Sequence, residues 1–313
     1  MKTIFLGSGD FARDFLYGLL PTGFELAGVI TRPDRAAGRG LRQRPTPVKE
    51  VAGEEGISLY QPDGPSDPDF ISVIEKEGPD LLLVADYGYI LPREILDFPG
   101  GGCLNVHPSL LPRYRGAAPI RRALLQGERV SGVTLMLLDE GLDTGDIVAQ
   151  TEVEVEDDDD ALSLRKKLAF TGARMVSETV PLYMSGDVLP EPQDEGLATY
   201  AEPIVKSELL IDWTDASKHI HTRVRALSPR PGAYTYFRGK RLKVLRASQG
   251  EDSRTLRPGA LAVYEGGILM VGTGEGCLRL ERLQPEGKQP IGAVDFLNGY
   301  RPGTGEELGA DTA

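Results

Sequence analysis

Two short segments of the chain carry polar side chains that could together form an active site. The first is an apolar run that begins at Gly102 and ends in Asn105-Val-His107, and the second places Asp143 in a Gly-Leu-Asp-Thr-Gly turn. Alternation along a strand puts Asn105 and His107 on the same face. An amide that donates hydrogen bonds beside an imidazole that moves protons suits acyl transfer, because a developing oxyanion needs preset donors. A nearby Asp143 carboxylate could orient the imidazole or relay a proton.

Other chemistries remain open from these residues alone. A histidine in a loop is more often structural, and Asp-Thr-Gly is an ordinary turn. Since no serine or cysteine has an obvious base partner, we expect direct transfer without a covalent acyl-enzyme. Asp139, Asp143 and Asp146 with His107 could suggest a metal site, but the paired histidine or cysteine spacing of such sites is missing, so we expect no metal.

The composition predicts a soluble cytoplasmic protein with two domains. The chain has 313 residues, two cysteines and a net charge of -12. Two cysteines cannot form a disulfide framework, and no apolar run approaches the ~20 residues that span a bilayer. The acidity is uneven: residues 1–205 carry a net charge of -15 and residues 206–313 one of +3. A basic carboxy-terminal part suggests a separate role in binding an acidic partner.

Strand-like and helix-like segments alternate in the first half, which predicts an α/β domain with a mostly parallel sheet. The first turn, Gly7-Ser-Gly9-Asp-Phe-Ala12, fits the dinucleotide fingerprint GxGxxG/A. The acid expected at the end of the second strand is missing, because that strand runs into Thr31-Arg32-Pro33. The turn therefore indicates either a nicotinamide-dependent oxidoreductase or a tight turn in a Rossmann-like fold.

The segment from Arg32 to Pro45 contains five arginines and is interrupted by glycine and proline, so we expect it to lack regular structure. It is either a solvated surface loop or a nucleic-acid contact. Later, residues 189–204 are predicted as a linker from their proline, glycine and acidic content. Thr214 is a predicted N-cap for a helix that ends at Leu227. Several short strands with glycine-rich turns then suggest a small β-barrel.

The chain resembles the formyltransferases that use 10-formyltetrahydrofolate. The resemblance covers nearly the whole chain and is strongest to the members that act on methionyl-tRNA. It rests on Asn105-Val-His107-Pro-Ser-Leu-Leu-Pro-Arg113-Tyr-Arg115-Gly-Ala-Ala-Pro119-Ile, Gly132-Val-Thr, Gly141-Leu-Asp143-Thr-Gly-Asp146 and, in the carboxy-terminal part, Leu283-Gln-Pro-Glu-Gly287-Lys288 with Asp295-Phe-Leu-Asn298-Gly299.

This resemblance implies a fold and a set of site residues. The fold is a Rossmann-like formyltransferase domain followed by a small OB-like β-barrel. The catalytic trio is Asn105, His107 and Asp143. The implied folate contacts are Tyr87, Gly88, Tyr89, Ile90, Leu91, Ser109, Leu110, Leu111, Pro112, Gly141 and Leu142. The expected tRNA contacts are Arg35, Arg39, Arg42, Arg44, Arg238, Lys240, Arg241 and Lys243, although the last four would look the same on a solvated strand face.

We therefore expect a catalytic domain over residues 1–188, a linker over 189–204 and a tRNA-binding domain over 205–313. The expected reaction moves the formyl group of the co-substrate 10-formyltetrahydrofolate to initiator methionyl-tRNA, in a monomer without metal. Three alternatives are a formyltransferase that acts on an amino sugar, a nicotinamide-dependent oxidoreductase and a tRNA-binding module without catalysis.

Overall fold

The computed structural model describes residues 1–37, 42–250 and 256–309, except the side chains of residues 37 and 42. The chain forms two compact units. The first comprises Met1–Pro119, Val130–Val155 and Arg165–Ala201, and the second comprises Ile120–Arg129, Glu156–Leu164 and the residues from Glu202 onward. The units interleave along the chain, and the predicted boundaries at residues 188 and 204 stay a prediction.

Nine strands and six helices lie in the described residues before residue 201. They are β1 (Thr3–Gly7), α1 (Asp10–Leu19), β2 (Gly28–Ile30), β3 (Arg35–Ala37), β4 (Arg42–Arg44), α2 (Pro47–Glu54), β5 (Leu59–Tyr60), α3 (Pro68–Glu77), β6 (Leu81–Ala85), α4 (Arg93–Leu96), β7 (Cys103–His107), α5 (Pro119–Leu125), β8 (Val130–Leu137), β9 (Ile147–Glu154) and α6 (Ala161–Ser185).

Seven of these strands form one sheet in the order β5-β2-β1-β6-β7-β8-β9. The first five strands in this order, from β5 through β2, β1 and β6 to β7, pair in parallel. Strands β8 and β9 are antiparallel additions at one edge. Strands β1 and β6 are buried at every position, as expected for central strands with both faces covered. The prediction of a Rossmann-like α/β domain with a mostly parallel sheet is confirmed.

The parallel pairing brings the carboxyl ends of β1, β6 and β7 to the same edge of the sheet. Leu6 pairs with Val84, and Val84 pairs with Asn105. The turn after β1, the segment Asp86–Pro92 after β6 and the segment after His107 therefore start side by side. Ligands of open α/β sheets bind at this edge.

The expectation that residues 32–45 lack regular structure is wrong for their described part. Strands β3 and β4 pair antiparallel, with Arg35 opposite Arg44. Such short strands are held by backbone hydrogen bonds and need no apolar face, which is why this polar segment carries no strand signal. Gly38 and Gly40, on which the expectation rested, lie outside the described residues.

The residues from Glu202 to Gly309 that the structure describes contain a helix, six strands and a final helix. They are α7 (Ser217–Leu227), β10 (Ala233–Phe237), β11 (Lys240–Gln249), β12 (Leu261–Tyr264), β13 (Ile268–Gly272), β14 (Cys277–Pro285), β15 (Ile291–Gly292) and α8 (Ala293–Tyr300). The strands form an antiparallel sheet in the order β10-β11-β14-β13-β12, with β15 beside β14. An OB-like carboxy-terminal fold agrees with this arrangement.

Residues 305–309 link the two outer strands of that sheet. Gly309 exchanges two backbone hydrogen bonds with Tyr236 of β10, at 3.0 and 3.1 Å. Gly305 N donates to Leu261 O at 2.7 Å, and Leu308 N donates to Gly259 O at 2.8 Å. The unpaired edges that β10 and β12 would otherwise present are thus covered, which removes a site for association with other strands.

The start of α7 differs from the prediction. The N-cap is Ala216, which makes no side-chain cap, and not Thr214. The Thr214 hydroxyl donates instead to Asp212 Oδ1 at 2.7 Å, and its N–H donates to the same oxygen at 2.9 Å. The Thr214 hydroxyl therefore closes a local Asp-x-Thr turn and is not used to cap the helix.

The closure by residues 305–309 can be tested at Gly259. A Cβ there would lie 2.3 Å from Leu308 O, and φ is +80°. Gly266 has nearly the same φ, +79°, but a Cβ there would meet nothing within 4 Å. Gly266→Ala should cost about 1–2 kcal/mol of unfolding free energy from backbone conformation alone. Gly259→Ala should cost about 1–3 kcal/mol more, because the closing segment must shift. Urea unfolding measures both, and equal losses would contradict the close approach.

Candidate active site

Asn105 and His107 extend from the same face of β7, as predicted. Asn105 is half-buried, and none of the described residues hydrogen-bonds its amide. His107 lies two residues further, where the strand ends. A half-buried amide without an internal partner can donate to a ligand, which is the property required of an oxyanion donor.

The His107 ring is buried, and one of its nitrogens is committed. Nε2 lies 3.0 Å from Tyr114 O. A backbone carbonyl can only accept, so Nε2 carries the proton in this contact. In the neutral ring, Nδ1 therefore holds a lone pair. Nδ1 is 3.6 Å from Asp143 Oδ2, which is too long for a hydrogen bond but close enough for a charge interaction when both nitrogens are protonated.

Asp143 is held in an uncommon backbone conformation. Its φ is +54°, in the left-handed region that costs non-glycine residues about 1–3 kcal/mol. Its Oδ2 accepts a hydrogen bond from Gly116 N at 2.8 Å. The turn that carries it is closed by the Asp139 carboxylate, which accepts from Thr144 Oγ1 at 2.8 Å and from Gly141 N at 3.0 Å. The structure thus brings all three members of the predicted trio to one place.

The segment after His107 is fixed by Thr134 of β8, the last residue of the Gly132-Val-Thr motif, for which the sequence indicated no individual role. Thr134 Oγ1 donates to Ser109 O at 2.7 Å and accepts from Leu111 N at 3.1 Å. Gln150 of β9 donates to both Leu111 O, at 2.7 Å, and Thr134 Oγ1, at 2.9 Å. The sequence signal that could have found Thr134 is weak: a polar side chain inside a mostly apolar strand.

The predicted folate contacts divide into exposed and buried positions. Ile90 and Leu142 are the most open, with 86% and 60% exposure. Gly88 and Gly141 are also exposed, while Tyr89, Leu110 and Pro112 are half-buried. Tyr87, Leu91, Ser109 and Leu111 are buried, so they offer mainly backbone atoms. Residues 109–112 follow His107 and residues 141–142 precede Asp143, whereas residues 87–91 follow the neighbouring strand.

Two buried side chains near this edge are chemically informative. The Tyr87 hydroxyl is buried without a hydrogen-bond partner in the described residues, and burial raises its pKa. Cys103 starts β7, and burial raises the pKa of its thiol to about 12. Such a thiol is not ionised at neutral pH, which agrees with transfer that uses no cysteine nucleophile.

The glycine fingerprint after β1 is used internally. Ser8 N and Gly9 N both donate to Asp86 O at 3.1 Å, and Phe11 N donates to Asp86 Oδ2 at 3.3 Å. These N–H groups at the start of α1 are the ones that would bind a pyrophosphate. A Cβ on Gly9 would lie 1.8 Å from Asp86 Oδ2. The glycine thus permits the approach of Asp86, and the dinucleotide interpretation loses its binding groups.

Some of the predicted tRNA contacts are available and others are engaged. Arg35 and Arg44 are exposed on paired strands. Arg39 and the side chain of Arg42 lie outside the described residues. Arg238 pairs with Glu306 at 2.5 Å and also donates to Tyr300 O at 3.0 Å, and Lys243 donates to Pro231 O at 2.7 Å. Lys240 and Arg241 are exposed, and their charged groups make no hydrogen bond or ion pair within the described residues.

Arg113 and Arg115 flank Tyr114, and the structure separates them. Arg113 is exposed, whereas Arg115 is buried and paired with Glu195 at 2.6 Å.

Among the described residues, no cluster of three or more histidine, cysteine, aspartate or glutamate side chains could hold a metal ion. None of the described helices combines the length and apolar character needed to cross a membrane.

Comparison with known proteins gives matches over both parts of the chain. The family model described as "Formyl transferase" matches residues 1–180, and "Formyl transferase, C-terminal domain" matches residues 203–301. The chain is 42% identical over 310 residues to a methionyl-tRNA formyltransferase of Geobacter metallireducens, covering 99% of each chain. It is 40% identical over 311 residues to that of Bacillus subtilis, covering 99% of this chain and 98% of the relative.

Solved structures share the fold at low identity. HypX from Aquifex aeolicus in complex with tetrahydrofolic acid superposes with a TM-score of 0.69 at 20% identity, over 98% of this chain and 48% of that one. An N-formyltransferase from Helicobacter canadensis in complex with folinic acid and dTDP-3-aminofucose has a TM-score of 0.64 at 17% identity, over 93% and 100% of the two chains. At these identities the likeness shows the fold.

The hydrogen bonds of Thr134 generate a stability prediction. Thr134→Val keeps the shape but leaves Ser109 O and Leu111 N without their partner, which should cost about 1–3 kcal/mol for each buried group. Thr134→Ser keeps the hydroxyl and should lose about 1 kcal/mol, for one buried methyl group. Thermal unfolding of the two variants gives the comparison. A valine variant as stable as the serine variant would show that the hydroxyl does not hold the segment.

Proposed function

Because this chain belongs to the formyltransferase family, we propose that it transfers the formyl group of 10-formyltetrahydrofolate to the α-amino group of methionine esterified to initiator tRNA. The observation that carries the proposal is the meeting of Asn105, His107 and Asp143 at the carboxyl end of β7. The identity of about 40% to methionyl-tRNA formyltransferases over the whole chain supports the choice of acceptor. The products are N-formylmethionyl-tRNA and tetrahydrofolate, formed in the cytoplasm, where translation begins.

In this mechanism the neutral amine attacks the formyl carbon and a tetrahedral intermediate forms. Its oxyanion accepts a hydrogen bond from the Asn105 amide and one from His107 Nδ1 when the ring carries a proton on both nitrogens. The new C–N bond to methionine remains, and the bond from carbon to N10 of the folate breaks. A proton leaves the amine and one is gained by N10, so the step needs no other reactant.

Asp143 has two roles in the proposal. Its Oδ2 accepts a hydrogen bond from Gly116 N and lies 3.6 Å from His107 Nδ1. The carboxylate therefore balances the charge of a doubly protonated ring. Its Oδ1 has no hydrogen bond to the described residues and is available to receive the amine proton, directly or through water. Because only the unprotonated amine attacks, the rate should fall as the pH drops below the amine's own pKa.

The folate is proposed to bind along the edge that carries the trio. Exposed apolar side chains at Ile90 and Leu142 support a ligand there that is largely apolar. The residues proposed as contacts are those inferred from the family resemblance, in the segments 87–91, 109–112 and 141–142.

The second unit is proposed to bind the tRNA. Tyr234 and Tyr236 lie on the outward face of β10, with ring centroids 5.8 Å apart. Arg241 lies on the paired strand with its guanidinium 4.7 Å from the Tyr234 ring. Aromatic rings beside cations are suited to stacking on unpaired bases and to phosphate contact. The hairpin of β3 and β4 with its arginines is proposed as a further contact, in the first unit.

A first test removes the trio one member at a time. Asn105→Ala should lower kcat by about 10²–10³-fold, which is the usual effect of losing one oxyanion donor. His107→Ala and Asp143→Ala should also lower kcat strongly. Since these groups act on the reacting atoms, KM for both substrates should change little. Formylation of charged initiator tRNA, followed by acid-gel separation of the product, measures kcat and KM.

The matched control for that test is His219→Ala, an exposed histidine on α7. It should retain wild-type kcat. Trio variants with near wild-type kcat would refute the assignment. Formylation of an amino sugar nucleotide in place of charged tRNA would favour the rival class of acceptor. Tight binding of NADPH in a titration would favour the oxidoreductase alternative.

A second test concerns the arginines of residues 32–45. Neutralising Arg39 and Arg42 together should weaken tRNA binding and reduce the slope of log K against log salt by about 0.7–0.9 for each phosphate that is no longer neutralised. Arg35→Gln with Arg44→Gln should act in the same way. Arg93→Gln, a largely exposed arginine of α4, is the matched control. An unchanged salt slope in the variants of residues 32–45 would count against this contact.

A further inference from the structure

The segment predicted as a linker is bonded along the first unit up to Ala201. Glu191 exchanges two backbone hydrogen bonds with Ile147, both 2.8 Å. Thr199 N donates to Pro112 O at 3.2 Å, Arg115 N donates to Thr199 O at 2.8 Å, and Ala201 N donates to Arg115 O at 2.7 Å. The segment therefore lies against two loops at once, the loop that follows His107 and the one that carries Asp143.

Gln193 of this segment connects the two loops through its side chain. Its Nε2 donates to Asp143 O at 2.9 Å and to Gly145 O at 2.7 Å. Its Oε1 accepts from Arg115 Nε at 3.1 Å and from Arg115 Nη2 at 2.7 Å. Carbonyls only accept and a guanidinium only donates, so just one orientation of the amide satisfies all four contacts.

Arg115 is the other half of the connection. It is 1% exposed, and Glu195 accepts from it at 2.6 and 2.9 Å. The hydrogen bonds from Arg115 lower the pKa of the Glu195 carboxyl, so the pair is ionised at neutral pH. The two neighbours of Arg115 in the chain bind two members of the trio: Tyr114 O accepts from His107, and Gly116 N donates to Asp143.

We propose that Gln193 is a positioning residue, which sets the distance between His107 and Asp143 by tying the Asp143 turn to the Tyr114–Gly116 loop through Arg115. The tie is needed because Asp143 has a left-handed backbone that its own turn does not favour. Loss of the tie lets the turn relax, and the carboxylate then moves away from Nδ1 and from Gly116 N. The kinetic part of this inference rests on the proposed formyl transfer.

The informative variant is Gln193→Glu. It keeps the one oxygen that accepts both hydrogen bonds from Arg115, and it replaces Nε2, the donor to Asp143 O and Gly145 O, by a second oxygen. The expected kcat for formylation is about 10–100-fold below wild type, the range that small misplacements of catalytic groups produce. KM for charged tRNA and for the folate should stay within about twofold, because no substrate-binding group is removed.

Two control variants separate the halves of the tie. Glu195→Gln retains the Gln193 donors and weakens only the partner of Arg115, so a fall of about threefold or less is expected by the same reasoning. Asp194 lies beside Gln193, and within the part of the chain that the structure describes its side chain accepts only from Gly196 N. Asp194→Ala should leave kcat within about twofold of wild type.

Coupling distinguishes positioning from general loss of structure. In an Asp143→Ala background, Gln193→Glu should lower kcat by no more than about twofold, since the group it positions is already gone. Full additivity of the two effects would overturn the proposal. Should Gln193→Glu fail to fold, Gln193→Met, which matches its length and removes both sets of bonds, takes its place in the same cycle.

A second readout needs no substrate. Amide hydrogen exchange at Gly116 should be at least about tenfold faster in Gln193→Glu than in wild type, while amides of the central strands β1 and β6 keep their protection. A wild-type protein that fails to formylate charged tRNA overturns the proposed function and leaves this readout intact. Unchanged Gly116 exchange, or unchanged kcat beside an active wild type, overturns the positioning role.

Discussion

The hydrogen bond between His107 Nε2 and Tyr114 O governs the chemistry available at this site. It commits one ring nitrogen to the protein and leaves the other to face Asp143 and the substrate side. The Tyr114 carbonyl is held in turn by its neighbours: Tyr114 N donates to Thr199 Oγ1 at 2.8 Å, and the next residue is paired with Thr199 and Ala201. The protonation pattern of one imidazole thus depends on a segment more than eighty residues away in the chain.

Local patterns in the sequence predict much of this structure. The buried strands Thr3–Gly7 and Leu81–Ala85 are continuous apolar runs, and Asn105 and His107 share a face because of strand alternation alone. Thr46 and Asp67 precede prolines and cap α2 and α3 through their side chains. The trio itself was identified from motif resemblance, and the structure accounts for it by bringing the two motifs together.

What could not be predicted depends on partners distant in sequence. Nothing near Gln193 reveals that its amide meets Arg115, 78 residues earlier, and composition made the segment look like a linker. Nothing near Arg238 in the sequence reveals that it pairs with Glu306, 68 residues later. The pairing of β3 with β4 could not be predicted, because it involves backbone atoms, which side-chain patterns do not report.

The Asp86 carboxylate at the start of α1 has a consequence for selectivity. In related sheet topologies the positive end of that helix is an anion receptor, and free nucleotides are abundant anions in any cell. Here the chain supplies the acceptors itself: Phe11 N donates to Asp86 Oδ2, and Ser8 N and Gly9 N donate to Asp86 O. A nucleotide phosphate would therefore have to displace Asp86 before it could bind these N–H groups.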